Sequence, residues 1–415
     1  MNKTHEGFSY LKGALHCEGV PLARIASEVG TPTYVYSRTA LVNRVRRLQT
    51  ALGNDISCQI YFAVKACSNI HILEIFRSLG CGADIVSSGE LFRASVAQIP
   101  AELVVFSGIG KTEKEIAEAL KAQIHIFNVE SLEELLTIER LAYAAGVKAR
   151  VALRVNPNVD AKTHPYISTG LKKNKFGLAP SELREIYGRL DSLRAVNICG
   201  LSCHIGSQIM TEAPFIKAWK ELIKTAVEAP FDVTYIDLGG GLGIQYLREK
   251  EYSLERFGAL VQKTFKGLHY KLGVEPGRSL VGPVGMLLSQ LVVVKKRGAH
   301  TFYVLDAGMN DLLRPALYGA THPVSVVDLP RSNKIAPVDL VGPVCESSDA
   351  FQCGIKLPPL KPGALLAFGN AGAYGMTMGS QYNSRPRAAE VLVDGSSYQV
   401  IRTRETYADL IQREL

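Results

Sequence analysis

IYFAVKA at 60–66, ADIVSS at 83–88 and VTYIDLGGG at 233–241 are short apolar and β-branched runs that lead into polar residues or glycine. They are three of eight such runs between residues 60 and 277. The others are LVVFSG from 103, HIFNVE from 125, VALRVNP from 151, VNICGLSCHIG from 196 and YKLGVEPG from 270. Segments with helical periodicity separate them, which is the alternation of βα units feeding a parallel sheet. Within those segments Thr112 to Glu115 and Ser131 to Glu134 fit the capping box, where a hydroxyl and a carboxylate satisfy free backbone donors at a helix start. Eight units predict an α/β fold closed into a (β/α)8 TIM-like barrel rather than an open doubly wound sheet.

Outward from this core the rhythm changes. After about residue 285 the strand-like stretches LVVVKK, TFYVLDAG, VSVVDL, ALLAFG and AEVLVDGSSYQVI follow one another without long helical intervals. They predict a C-terminal, mostly-β domain, and Asp394-Gly395 between two alternating runs is a hairpin signal because both residues tolerate positive φ. The residues before the barrel pattern are expected to pack with it. The predicted domains are a barrel over 37–285 and a β-sandwich or β-barrel-like domain from 1–36 and 286–415.

A chain of 415 residues exceeds what one core usually organises. With 47% apolar and 21% charged residues and no apolar run of the roughly 20 residues that span a bilayer, it reads as a soluble enzyme without a membrane segment. MNKTHEGFSYLKG has no apolar signal core, so a cytoplasmic location is expected. The eight cysteines are scattered and read as reduced thiols, and neither the Cys199–Cys203 nor the Cys345–Cys353 spacing is that of a zinc site. The net charge of +8 comes with short basic clusters, Arg44 to Arg47 and Lys172 to Lys175, that have acidic neighbours in sequence. Solvated faces and anionic small substrates account for them better than nucleic acid does.

Barrels carry their chemistry at the C-terminal ends of the strands. Lys65 ends the first run, Asp84 lies in the second, Arg154 in the fifth, His204 closes the sixth, Gly239, Gly240 and Gly241 close the seventh, and Glu275 the eighth. Each has an ordinary reading alone, as a solvated lysine, a core histidine or a turn. Their shared position on one rim is the functional signal. The glycine run is not a dinucleotide fingerprint, because Ile244 and Tyr246 occupy the positions where G-x-G-x-x-G needs glycine. SGIGKT at 107–112 is not a P-loop, because Val105 stands at its first glycine. A glycine loop after the seventh strand is where barrels commonly bind phosphate. With a strand-end lysine and carboxylate it suits pyridoxal 5′-phosphate, whose aldehyde takes an amine and whose ring is an electron sink.

Nine ordered motifs carry a resemblance over essentially the whole chain. They are YFAVKACSN (61–69), GADIVSSGEL (82–91), STGLKKNKFG (168–177), HIGSQ (204–208), GGGLG (239–243), EPGRSLVG (275–282), GMNDLLRPALYG (308–319), CESSD (345–349), and AGAYGM with YNSRPR (371–387). The chain resembles the barrel-type pyridoxal-phosphate-dependent decarboxylases, the group of ornithine and arginine decarboxylases, and within it the diaminopimelate decarboxylase family.

The resemblance implies that Lys65 holds the cofactor as a Schiff base, its amine freed of its proton with help from burial or neighbouring cations. It implies that Glu275 faces the pyridine nitrogen, where an alanine racemase would use arginine, and that His204 stacks on the ring. Ser207, Gly239 to Gly241, Gly277, Arg278 and Tyr374 lie where the family binds or neighbours the phosphate, with Asp84 and Arg154 supporting the inner site. Substrate selection falls to Arg278, Arg314, Tyr318, Glu346 and Tyr374: an arginine fork suits a distal carboxylate and Glu346 a distal ammonium, as in a diamino diacid. For Arg314 a surface ion pair is the ordinary alternative, and for Cys345 a buried structural thiol. Cys345 matches the family's proton donor, contributed with Glu346 across the interface of a homodimer with shared active sites. Two other readings stay open. One is a related decarboxylase acting on another amino acid, ornithine- or arginine-like or a carrier-bound glutamyl compound. The other is a non-catalytic homologue, against which the presence of both Lys65 and Cys345 argues.

Overall fold

The computed structural model describes residues 5–160, 174–247, 249–250, 252–330 and 334–415. Residues 168–173 of the STGLKKNKFG motif, and with them Lys172 and Lys173, lie outside the described residues. The chain divides into two compact units. One is Arg44–Ile244 with Lys250–Ser279; the other is Met1–Asn43, Gln245–Glu249 and Leu280–Leu415.

The first unit is the barrel. Its strands are Cys58–Ala63, Gly82–Ile85, Val104–Phe106, Ile126–Val129, Ala149–Arg154, Val196–Ser202, Tyr235–Asp237 and Lys271–Val274. All neighbours pair in parallel, and Leu272 opposite Cys58 joins the last strand to the first. Each of the eight apolar runs supplies one strand. Strands buried on both faces read as continuous apolar stretches, which is why they stand out in sequence. Tyr61, Val105, Ile126, Ala152, Cys199 and Tyr235 pack together inside the barrel. Gly273 makes room for them, because a Cβ there would run into the Tyr235 hydroxyl.

The caps explain where two of the helices begin. Thr112 and Glu115 form the full capping box, Glu115 N–H donating to Thr112 Oγ1 at 3.3 Å and Thr112 N–H to Glu115 Oε2 at 3.0 Å. Ser131 also caps its helix, accepting from Glu134 N–H at 3.1 Å, but the Glu134 side chain departs from the expected box. It is buried and accepts instead from Lys111 Nζ at 2.7 Å.

In the second unit, the thirteen-residue strand Gly285–Arg297 is long enough to serve several partners. Its first half pairs with Thr33–Ser37 and with Leu365–Phe368, and its second half with His300–Leu305. Ala336–Val341 and Ala350–Leu357 extend the sheet at one end, and Ala389–Asp394 and Ser397–Arg402 at the other. The last two form the hairpin expected at Asp394-Gly395, with Gly395 at φ +60°. Residues from before the barrel, among them Phe8, Leu15, Ile25 and Val35, share a core with Met286, Leu288, Ala367 and Val391. Among the described residues no helix is long and apolar enough to cross a membrane.

Candidate active site

Lys65 sits one residue beyond the first barrel strand, in the single helical turn Val64–Ala66. Its Nζ pairs with Asp84 Oδ2 from the second strand, while the other Asp84 oxygen is buried with no hydrogen-bond partner among the described residues. The immediate partner of the amine is thus a carboxylate. Gly277 packs against this turn, where an added Cβ would lie 2.9 Å from Ala66 Cβ.

A buried polar network gathers at the strand ends. Ser107 Oγ donates to Glu275 Oε1 at 3.0 Å. Asn128 Nδ2 lies 2.9 Å from Ser107 Oγ, 3.1 Å from Asp237 Oδ2 and 3.3 Å from Glu275 Oε1. Burial holds the Glu275 carboxyl well above the usual carboxylate range, and the charges of Asp237 and Asp84 push it further the same way, with Lys65 opposing. Glu275 contacts the Asp237 carboxyl, which burial also raises, so the pair favours holding a proton, with Glu275 the more strongly raised of the two.

His204 follows the sixth strand and is held neutral, because burial disfavours the imidazolium and Arg154 and Lys65 repel it. Its Nδ1 accepts from Gly240 N–H at 3.2 Å. The glycine loop is forced by close approach: a Cβ on Gly239, Gly240 or Gly241 would collide with the carbonyl oxygens of Cys203, Glu275 and Gly206 respectively. Gly239 and Gly241 also take φ of +68° and +98°, which other residues rarely adopt. Arg278 Nη2 donates to Ser207 Oγ at 3.1 Å. Lys65, Ser107, Asn128, Arg154, His204, Asp237 and Glu275 line one cavity of about 390 Å³. Ser207, the glycines and Arg278 do not line it. Arg154 pairs with Glu130 at 2.6 Å and lies over the Phe176 ring, so it shapes the wall of that cavity.

Arg314, Tyr318, Cys345, Glu346 and Tyr374 belong to the other unit. Arg314 begins the short helix Arg314–Tyr318 and is buried, so it is not a surface ion pair. Its Nη1 is 2.8 Å from Tyr246 Oη and 2.9 Å from His322 Nε2, and His322 Nδ1 contacts Gly369 O. Tyr318 is half-buried at the end of that helix. Cys345 is exposed, which removes the reading of a buried structural thiol. It stands in a turn closed by buried Asp349, which accepts from Val344 N–H and Met309 N–H, both at 2.7 Å. Cys345 N–H donates to Asn383 Oδ1 at 2.9 Å, and the exposed Glu346 accepts from Tyr382. Tyr374, Asn383 and Ser384 have φ of +55°, +56° and +52°. Such backbone costs of order 1 kcal/mol per residue and gathers where side chains must be aimed.

Residues 38–282 match the model of the pyridoxal binding domain of pyridoxal-dependent decarboxylases. The chain belongs to this family. A diaminopimelate decarboxylase of Pseudomonas aeruginosa is 45% identical over 98% of this chain and 98% of the relative. One of Aquifex aeolicus is 42% identical over 98% and 97%. Among solved structures, the diaminopimelate decarboxylase of Helicobacter pylori complexed with L-lysine superposes with a TM-score of 0.90 at 41% identity, covering 95% of this chain and 99% of that one. The M. jannaschii enzyme in co-complex with L-lysine gives 0.93 at 36%, covering 100% and 98%.

Sequence reasoning about this decarboxylase missed Ser107, Asn128 and Asp237. Each is a polar residue at the end of a run already recognised as a strand, and that was the available signal. It also passed over Tyr246 and His322 beside Arg314, and Lys111. SGIGKT, rejected as a nucleotide motif, turns out to place a buried lysine: Lys111 Nζ donates to Gly108 O at 2.6 Å, Asn128 O at 2.9 Å and Glu134 Oε1. Gly108 lines the cavity, so Lys111 braces its wall. Lys111→Met is expected to lower the unfolding free energy by about 3 kcal/mol in urea titrations, because Glu134 is left buried and unpaired; adding Glu134→Leu should recover most of it. No loss in the single variant would contradict the brace.

Proposed function

We propose that this chain decarboxylates meso-2,6-diaminopimelate to L-lysine and carbon dioxide, the last step of lysine biosynthesis, with pyridoxal 5′-phosphate as cofactor. The observation that carries the reading is one cavity lined by an amine, a neutral imidazole and a carboxyl whose proton is held by burial. The residues present fit the cofactor chemically. A carboxyl with a raised pKa suits a ring nitrogen, and a loop too tight for any Cβ leaves only backbone to meet a phosphate. When bound, pyridoxal phosphate offers an aldehyde to an amine and a ring that draws electrons from the bond being broken.

Lys65 Nζ is the amine that would hold the cofactor, with Asp84 beside it as the ionic partner. Glu275 keeps a proton at the ring-nitrogen end. His204, uncharged, presents a flat face without competing for that proton. Ser207, Arg278, the Gly239–Gly241 backbone and Tyr374 serve the phosphate, and Gly277 lets the Arg278 segment approach the Lys65 turn.

For the substrate, Arg314 is a guanidinium held in place by Tyr246 and His322, which suits bidentate capture of a distal carboxylate. Ornithine and arginine lack that group. Glu346 suits the distal ammonium, Tyr318, Tyr374 and Arg278 complete the contacts, and Cys345 returns the proton to the carbon that loses carbon dioxide. Two copies of the chain form a homodimer that shares these residues between sites, a reading supported by the exposure of Cys345 and Glu346 in the single chain. The test is turnover of meso-diaminopimelate against ornithine, arginine and glutamyl compounds. We expect preference for diaminopimelate by at least about 10³-fold in kcat/KM, since only a ligand with the distal carboxylate offers a charged, bidentate partner to the guanidinium that Tyr246 and His322 hold in place. Equal or better turnover of ornithine would overturn the substrate assignment while sparing the cofactor.

A further inference from the structure

Asp237 contacts both halves of the proposed cofactor site. It ends the seventh barrel strand and is fully buried. One oxygen, Oδ1, accepts from Gly239 N–H at 2.9 Å and so folds the start of the glycine loop. The other, Oδ2, accepts from Asn128 Nδ2 at 3.1 Å, the same amide that reaches Ser107 and Glu275. Gly239 closes the circuit, its carbonyl accepting from Glu275 N–H at 2.8 Å. One backbone donor, the Asn128 amide and the Glu275 carboxyl thus converge on a single aspartate.

We infer that Asp237 is a positioning residue with two separable duties: its Oδ1 sets the glycine loop, and its negative charge behind Glu275 keeps the cofactor's ring nitrogen protonated. The inference rests on the cofactor reading above. Burial raises both carboxyls, Glu275 well above the usual range, while the Gly239 and Asn128 donors oppose that rise at Asp237, so Asp237 is the more readily ionised of the pair and Glu275 the more readily protonated. When Glu275 gives that proton up, it becomes the carboxylate that pairs with a protonated ring nitrogen, and Asp237 stands behind it as a second negative charge. The other charges facing the pair are Asp84, which adds to the effect, and Lys65, which opposes it. Arg154 acts on the adjacent Cys203 and His204. Burial holds the nearby Tyr61, Tyr235 and Cys203 in their neutral forms.

Asp237→Asn keeps an oxygen for Gly239 N–H, removes the charge and puts a donor toward Asn128, whose Oδ1 has no hydrogen-bond partner among the described residues and can accept it if that amide turns over, whereas Asp237→Ala removes charge and acceptor together. The experiment loads each full-length protein with ¹⁵N-labelled pyridoxal phosphate and follows the ring-nitrogen resonance against pH, together with cofactor affinity, kcat and KM. In Asp237→Asn the nitrogen is expected to lose its proton about one to two pH units lower than in the wild type, the scale of one buried-side charge at several ångströms. Cofactor affinity should stay within about 3-fold and kcat should fall more than KM changes. Asp237→Ala should in addition bind cofactor at least about 10-fold more weakly. An unshifted nitrogen titration in Asp237→Asn, or equal cofactor affinity in the two variants, would overturn the inference. If the variants do not fold, the infrared difference spectrum of the wild type on cofactor addition decides: loss of a protonated-carboxylic-acid carbonyl band supports it and no loss overturns it. Failure of the wild type to bind pyridoxal phosphate would instead sink the proposed function itself.

Discussion

Lys65→Ala is expected to fold normally, lack the visible absorbance of lysine-bound pyridoxal phosphate, and turn over substrate at least about 10³-fold more slowly than the wild type, the scale on which loss of one member of a catalytic set is felt. The reason is specific to the site. Among the described lining residues of the cavity, Lys175 is the only other lysine, and it lies beside Phe176, over whose ring its Nζ sits at 5.4 Å, not in the Asp84 pair. The variant leaves Asp84 buried without its ionic partner, so some stability is lost as well. Absorbance spectra of the purified proteins and single-turnover assays read the outcome. A wild-type protein that is colourless and cannot be reconstituted with pyridoxal phosphate would remove the central claim. A coloured Lys65→Ala protein would move the cofactor to another amine.

Cys345→Ala is the second large effect, and its signature differs. Cofactor absorbance should be unchanged, because Cys345 does not line the cavity of Lys65 and Glu275, while kcat should fall about 10²- to 10⁴-fold as expected for removal of a general acid. Because the thiol is exposed and its turn is held by Asp349 and Asn383 through backbone groups, the substitution should leave stability nearly unaltered. If sites are shared between copies, verified mixed dimers of Cys345→Ala and Lys65→Ala should regain part of the wild-type activity, since one composite site per dimer is intact. Mixed dimers as inactive as their parents would argue for a site complete within one chain. A Cys345→Ala enzyme with full turnover would withdraw the thiol as proton donor.

The barrel was legible because parallel strands covered on both faces leave uninterrupted apolar runs, and all eight were recognisable together with the polar residue ending several of them. The sheet of the other unit was less so. Ala336–Val341 carries Pro337 and alternates only over its last four residues, and Ala350–Leu357 is broken by Gly354 and polar or exposed over half its length, so both give a weak strand signal. Thr33–Ser37 is buried throughout, but it precedes the barrel and pairs with strands roughly 250 and 350 residues further on, a partnership with no local trace.

Sequence alone determined the fold class, the family, and the rim on which Lys65, Asp84, His204 and Glu275 stand, because a strand's end and its parity are local properties. Tertiary structure decided what those residues face. Ser107, Asn128, Asp237 and Glu275 come from four different strands and meet only because the sheet closes on itself. Burial, which no single position reports, then raises the Glu275 carboxyl well above its usual range, disfavours the charged form of His204, makes Arg314 an interior cation and leaves Cys345 exposed. Charge states depend on desolvation and on neighbours brought from far along the chain, so they are properties of the folded site and not of its motifs.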